Sequence, residues 1–247
     1  MKNLKLAAVC LSCLTMTGCS ALNFSVEGLI NAPKLTSEQS EIHQALIESV
    51  GSNITLKYPK NGEYRSAYVI ANIDDEPTDE AMVFYEYTSN GSEEDGLRVN
   101  ILDKDEDGKW YSVKELAGAG TDIDQVIISP MGSNNQTDVF VGYQNLTNDE
   151  KTMEIYSYTD GDFKRVALDT YSVLEPLDIN NDGYIELITI QRSTNNDTGA
   201  VTAKASMLNM KNNEITRGEN VDMCDNVTSY VSSKTGMLDS GRRAIFI

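Results

Sequence analysis

From residue 53 to the C-terminus, apolar and polar positions follow one another in short β-branched and aromatic runs. Clusters of Asn, Asp, Gly and Pro separate these runs. That rhythm predicts strands and turns. One stretch breaks it. In "TSEQSEIHQALIESVG" (36–51), Ile42, Leu46, Ile47 and Val50 recur at helical spacing on one face. Thr36 followed by Gln39 has the spacing of a capping box, and Gly51 supplies a stop. Next, "NITLKYP" predicts a short strand ended by Pro59. Asn61-Gly62 predicts a hairpin turn leading into the strand "YRSAYVIANI".

Two landmarks then recur. The first is an acidic residue opening a buried run: Glu80 in "DEAMVFYEY", Asp138 in "TDVFVGYQ" and Glu186 in "IELITIQR". Arg243 in "RRAIFI" holds the same place without the acid. The steps are 58, 48 and 57 residues. The second is a strand, a polar turn and a strand bearing Trp110, Phe163 or Ile215, 53 and 52 residues apart. A unit of about four short strands at this period is the signature of a β-propeller blade. A lone sheet of this kind cannot bury both of its apolar faces, and stacking of blades does so.

The expected architecture is therefore all-β. One N-terminal helix and a hairpin strand (36–63) precede β-propeller-like repeats over 64–247. The blades cover about 64–117, 122–169, 171–222 and 226–247. The fourth stops at "AIFI", inside its second strand. About three and a half blades are fewer than a closed ring needs, so the chain is expected to be a piece of a longer protein, an open fan, or closed by other means; the bare apolar strand at the end favours the first, an incomplete propeller.

Charge narrows the function. The chain of 247 residues carries 38 acids against 20 Lys and Arg, a net charge of −18. So acidic a surface argues against nucleic acid as a partner, which needs clustered Lys and Arg. It suits cations such as calcium.

The first 18 residues read as an export signal. Lys2 and Lys5 precede a short apolar core, Leu6 to Leu14, too short to span a bilayer as a mature helix. In "LTMTGCS", Gly18 stands immediately before Cys19. This resembles a bacterial lipoprotein lipobox, with Met16 a less usual residue in it. The resemblance implies a signal peptide over 1–18, lipidation at Cys19 and a lipidated tether over 19–35. The expected location is the cell membrane, lipid-anchored on its extracytoplasmic side. Cys10 and Cys13 leave with the signal, so only Cys224 remains as a free thiol. That excludes an intramolecular disulfide framework and a cysteine zinc site.

The chemistry of interest lies in "LDINNDGYIELITI" (177–190). Asp178, Asn180 and Asp182 alternate, Gly183 permits a tight turn, and Glu186 stands ninth. Side chains at places 1, 3 and 5 of a curling loop converge, place 7 (Tyr184) offers its carbonyl, and a later carboxylate completes the shell. Hard oxygen donors without His or Cys select calcium. An EF-hand would need Glu at place 12, where Thr189 stands. The nine-residue form leading into a strand resembles the FG-GAP and VCBS repeat families, which include the calcium loops of integrin α-subunit propellers. The resemblance is specific at 178–186 and implies one structural calcium. The other units depart from it. The first has Asn72, Asp74, Glu76 and Glu80, but Pro77 stands where glycine is needed and cannot make that turn. The second, "SPMGSNNQTD", has almost no acids. "DKDEDG" (103–108) aligns with hairpin turns and reads as a solvated turn.

No catalytic set emerges. His43, the sole histidine, lies on the helix beside its apolar face without a recognisable nucleophile. "GAGTD" (118–122) joins strands rather than opening a helix, so it is no phosphate loop. Of twelve tyrosines, Tyr85, Tyr87, Tyr143, Tyr156 and Tyr158 fall in or beside strands, with core packing the simplest role. The expectation is a non-enzymatic, surface-tethered binding or scaffold lipoprotein meeting an extracellular protein or glycan. The rival is an exported enzyme, or an accessory module, acting on cell-wall or extracellular polysaccharide.

Overall fold

The computed structural model describes residues 35–88, 96–131, 136–145, 150–194, 197–211, 214–227, 234–237 and 243–246. The chain divides into two compact units, Met1–Ser40 and Glu41–Ile247. Of the first, residues 35–40 are described. Cys19 and its lipobox lie outside the described residues.

Helix α1 (Ser37–Val50) begins as its capping box predicts. The Gln39 N–H donates to Thr36 Oγ1 and the Thr36 N–H to Gln39 Oε1, both at 3.1 Å. Such a cap contributes about 1 kcal/mol. At the other end the Gly51 N–H donates to the Ile47 carbonyl, and φ of +85° at Gly51 releases the chain. Ile42, Ala45 and Leu46 form its buried stripe.

The rest of the described fold is antiparallel sheet. The first sheet holds β1 (Ile54–Leu56), β2 (Tyr68–Ala71), β3 (Glu80–Tyr87), β4 (Leu97–Lys104) and β5 (Trp110–Ala117). The second is β6 (Asp122–Ser129), β7 (Asp138–Gln144), β8 (Lys151–Thr159) and β9 (Asp162–Tyr171), in that order. The third holds β10 (Val173–Leu177), β11 (Glu186–Thr194), β12 (Val201–Lys211), β13 (Glu214–Arg217) and β14 (Val221–Val227). A two-stranded ribbon, β15 (Lys234–Met237) and β16 (Arg243–Phe246), follows. None of these sheets closes on itself.

The four landmark residues each stand first in a strand: Glu80 in β3, Asp138 in β7, Glu186 in β11 and Arg243 in β16. Trp110 opens β5, Phe163 faces Tyr158 across the β8–β9 hairpin, and Ile215 faces Met210 across β12–β13. The "DKDEDG" segment closes the β4–β5 hairpin, where Asp105 Oδ1 accepts from the Asp107 and Lys109 N–H groups.

One expectation fails. Asn61-Gly62 does not link a two-stranded hairpin. β1 and β2 lie end to end along the same side of β3: Ile54 to Leu56 face Tyr87 to Tyr85, and Tyr68 to Ala71 face Val83 to Glu80. The first sheet therefore begins at residue 54 rather than 64. The chain between these two short strands must leave the sheet, and Gly62, at φ +81°, turns it onto β6. There the Lys60 and Asn61 N–H groups donate to the Ile123 and Asp124 carbonyls. The third sheet shares one side of β12 in the same way, between β13 and β14.

Packing explains why the central strands are apolar on both faces. One face of the first sheet (Tyr68, Val83, Tyr85, Leu102, Trp110) is covered by Ile42, Ala45 and Leu46 of α1. Its other face (Met82, Phe84, Val99, Ile101) packs on Val139, Val141 and Tyr156 of the second sheet. The second sheet's far face (Phe140, Met153, Ile155, Tyr171) meets Leu174, Leu187 and Leu208 of the third. Each face alone would leave an apolar surface in water, and burial stabilises it by roughly 25 cal/mol per Å². The tyrosines divide as this layering requires. Tyr85 and Tyr143 are fully buried and Tyr156 nearly so, while Tyr87 and Tyr158 are half-buried.

Candidate metal centre

The loop 178–185 joins β10 to β11, which pair directly, Leu177 opposite Glu186. Two left-handed residues curl it, Asn181 (φ +60°) and Gly183 (φ +89°). Asn tolerates this region, and Gly occupies it without a Cβ penalty. Asp178 lies at the back of the curl: Oδ1 accepts from the Asp182 N–H and Oδ2 from the Gly183 N–H, each at 3.1 Å. Asp182 Oδ1 accepts from the Tyr184 N–H. The Asn180 amide nitrogen stands between two acids, 2.9 Å from Asp182 Oδ2 and 3.3 Å from Glu186 Oε1.

The loop thus brings Asn180, Asp182 and Glu186 together, with the amide nitrogen occupying the place of positive charge. Asp178 is turned to backbone N–H groups. Among the described residues, no three His, Cys, Asp or Glu side chains are gathered as a closed metal shell. The donors are nevertheless of the type calcium takes: carboxylate, amide and carbonyl oxygens.

Comparison of the three loops shows what the recurring acid does. The Ile73 N–H donates to Glu80 Oε2 at 2.8 Å, the Met131 N–H to Asp138 Oδ2 at 3.0 Å, and the Ile179 N–H to Glu186 Oε2 at 2.8 Å. In each case the acid clamps the amide seven residues before it, closing the loop that leads into β3, β7 or β11. The remaining carboxylate oxygen differs. The Ser157 hydroxyl donates to Asp138 Oδ1, and Asn180 to Glu186 Oε1. Glu80 Oε1 is buried with no hydrogen-bond partner. Burial, reinforced by Asp74 and Asp103, pushes Glu80 up to about 7 despite the Ile73 N–H. No residue of the 72–79 loop is left-handed, in keeping with Pro77.

Sequence reasoning missed two buried carboxylates. Asp124 is 1% exposed and takes three partners: Lys151 Nζ at 2.8 Å, Asn61 Nδ2 at 2.8 Å and the Tyr171 hydroxyl at 2.7 Å. Glu154, also 1% exposed, accepts from Arg165 at 2.5 Å and from the Tyr156 hydroxyl at 2.7 Å. Acids inside the strands "DIDQVIIS" and "MEIYSY" were the available signal. Both are paired, as buried charge must be. His43 Nδ1 lies 2.8 Å from the Tyr68 hydroxyl at the α1 interface.

The chain matches no protein-family model, no curated protein and no solved structure.

Proposed function

We propose that this chain is a non-enzymatic binding or scaffold lipoprotein, anchored through Cys19 on the extracytoplasmic side of a membrane. Its sheets are β-propeller-like blades, and one loop is tied by calcium. The observation that supports this most directly is the repeated acid clamp. Three successive sheets use the same device at the same place, and they stack through apolar faces. Such an array builds an extended framework whose loops carry recognition.

Calcium would be held by Asp178, Asn180, Asp182 and Glu186 side-chain oxygens and the Tyr184 carbonyl. It would supply the positive charge that three nearby carboxylates lack, fixing the start of β11. The Asn180 amide would rotate to present its oxygen. The partner is an extracellular protein or glycan.

Two measurements on the full chain test this. Thermal unfolding with calcium and with chelator is expected to give a higher midpoint with calcium, an increase lost in Asp182→Asn. An unchanged midpoint together with no calorimetric binding removes the metal. Expression in a bacterial host should place the wild type, and not Cys19→Ala, in the membrane fraction. A soluble wild type removes the anchor.

A further inference from the structure

The strongest unassigned feature is a cleft of about 200 Å³ between the first two sheets. Its floor and rim carry Asp74, Glu76, Glu80 and Asp103 from the first sheet. Its wall is Tyr111, Tyr158 and Phe163, with the exposed Val113 beside them. The Tyr158 and Phe163 rings meet edge to face at 5.2 Å.

The acids are held by neutral donors. Asp74 Oδ1 accepts from the Glu76 N–H, Asp103 Oδ1 from the Lys104 N–H, and Asp103 Oδ2 from the Tyr111 hydroxyl at 3.4 Å. Among the described residues none of the four forms an ion pair. Lys114, on the adjoining strand, is engaged by Asp162 and the Phe163 carbonyl. An acidic group alone would mean only a solvated rim. Glu80 adds a second and separate observation. It is 2% exposed, it lines the cleft, and its Oε1 has no donor. The equivalent oxygens of Asp138 and Glu186 both have one. An unpaired buried carboxylate oxygen costs several kcal/mol. What the chain withholds here, a bound group would supply.

We infer that this cleft binds an organic cation, a primary ammonium or guanidinium head on an aliphatic stem, with Glu80 receiving the head and Tyr158 and Phe163 flanking the stem. Two features favour this over a metal ion. The space holds several water volumes, where one ion would fill little of it. Aromatic faces attract alkylammonium and guanidinium groups and add nothing for a hard divalent ion. A lysine or arginine side chain of a peptide and a free polyamine share this chemistry.

The inference deepens the binding-module reading and rests on it. Calorimetry on the full chain, at low salt and with calcium present, would use Nα-acetyl-lysine methylamide, agmatine and spermidine, and Nα-acetyl-norleucine methylamide as the uncharged control. The cations are expected to bind at one site and the control not to bind. Glu80→Gln, which keeps an acceptor for the Ile73 N–H, and Tyr158→Ala should each weaken binding tenfold or more. Asp182→Asn should leave it unchanged. Tighter binding of the lysine derivative assigns a peptide side chain, and tighter binding of spermidine a polyamine. Absence of saturable heat with all three cations overturns the inference, as does wild-type affinity in both Glu80→Gln and Tyr158→Ala. Those results leave the anchor and calcium measurements standing. Failure of those measurements with cation binding intact removes the other reading alone.

Discussion

The Tyr171 hydroxyl reaches the Asp124 carboxylate by crossing directly over Gly142. The hydrogen bond is 2.7 Å long, and a Cβ at position 142 would stand 2.0 Å from the hydroxyl oxygen. No flexible tip gives way there, because Tyr171 is fully buried and Phe140 lies on the same spot. Gly142→Ala must therefore displace the ring and leave Asp124 short of a donor. The expected cost is about 2–4 kcal/mol, the loss of a buried hydrogen bond plus overpacking. Tyr171→Phe alone should cost about 1–3 kcal/mol. The double variant should be more stable than the two losses predict, since phenylalanine removes the clashing atom. Urea unfolding of the four proteins, read as a double-mutant cycle, checks this.

The recurring acid makes a graded prediction. Asp138 is fully buried and accepts from both the Met131 N–H and the Ser157 hydroxyl. Asp138→Ala strands two buried donors and should cost about 2–4 kcal/mol. Glu186 makes the same amide clamp at a half-exposed site. Water can replace it there, so Glu186→Ala should cost about 1 kcal/mol or less in chelator. With calcium the same substitution should also abolish the rise in midpoint. Thermal unfolding of both variants in the two buffers separates these outcomes.

Much of this framework was legible in the sequence because its signals are local. The helix has cap, stripe and stop within 16 residues, and the acids at 80, 138 and 186 stand where loop meets strand. What stayed hidden depends on contacts between segments far apart in the chain. Asn61-Gly62 carries the signature of a hairpin, yet β3 is long enough for β1 and β2 to share its side, and the turn docks on β6 instead. Asp124 looked like one more acid in an acidic chain. Its partners Asn61, Lys151 and Tyr171 come from three other segments, so no spacing could show them. The loop 178–186 had the clearest motif, but Asp178 turns to its own backbone, which the order of residues does not show.

Gly183 tests backbone strain without crowding. Its φ is +89°, and a Cβ there would meet nothing within 4 Å. Gly183→Ala should therefore cost only the left-handed penalty, about 1–2 kcal/mol. The same substitution at Gly142 acts through collision instead. If strain alone operates, replacing Gly183 by Asn should recover roughly half of the loss, since Asn tolerates this region better than Ala. Equal midpoints for the Ala and Asn variants would show that φ is not what the position requires.

Glu80 makes stability depend on pH in a direction opposite to that of a salt-bridged acid. Its pKa rises from 4.5 to about 7 on folding, chiefly through burial and then through Asp74 and Asp103, against the Ile73 N–H. The folded state therefore holds the Glu80 proton more tightly than the unfolded state between these values. Below pH 4.5 the group is neutral in both states and carries no penalty. As pH rises toward 7 the unfolded chain ionises first, and stability falls. Above 7 the full cost of a buried, unpaired carboxylate is present, on the order of 3–4 kcal/mol at about 1.4 kcal/mol per pKa unit. Other acids titrate over the same range, so the informative quantity is the difference from Glu80→Gln. That variant should be the more stable protein at pH 8, with the advantage shrinking through pH 7 to 5 and flat below. Unfolding of both proteins at four pH values measures it. A constant difference from pH 4 to 8 would mean that Glu80 does not titrate in this window. An organic cation in the cleft should reduce the wild-type penalty at pH 8 and leave the Gln variant unaffected.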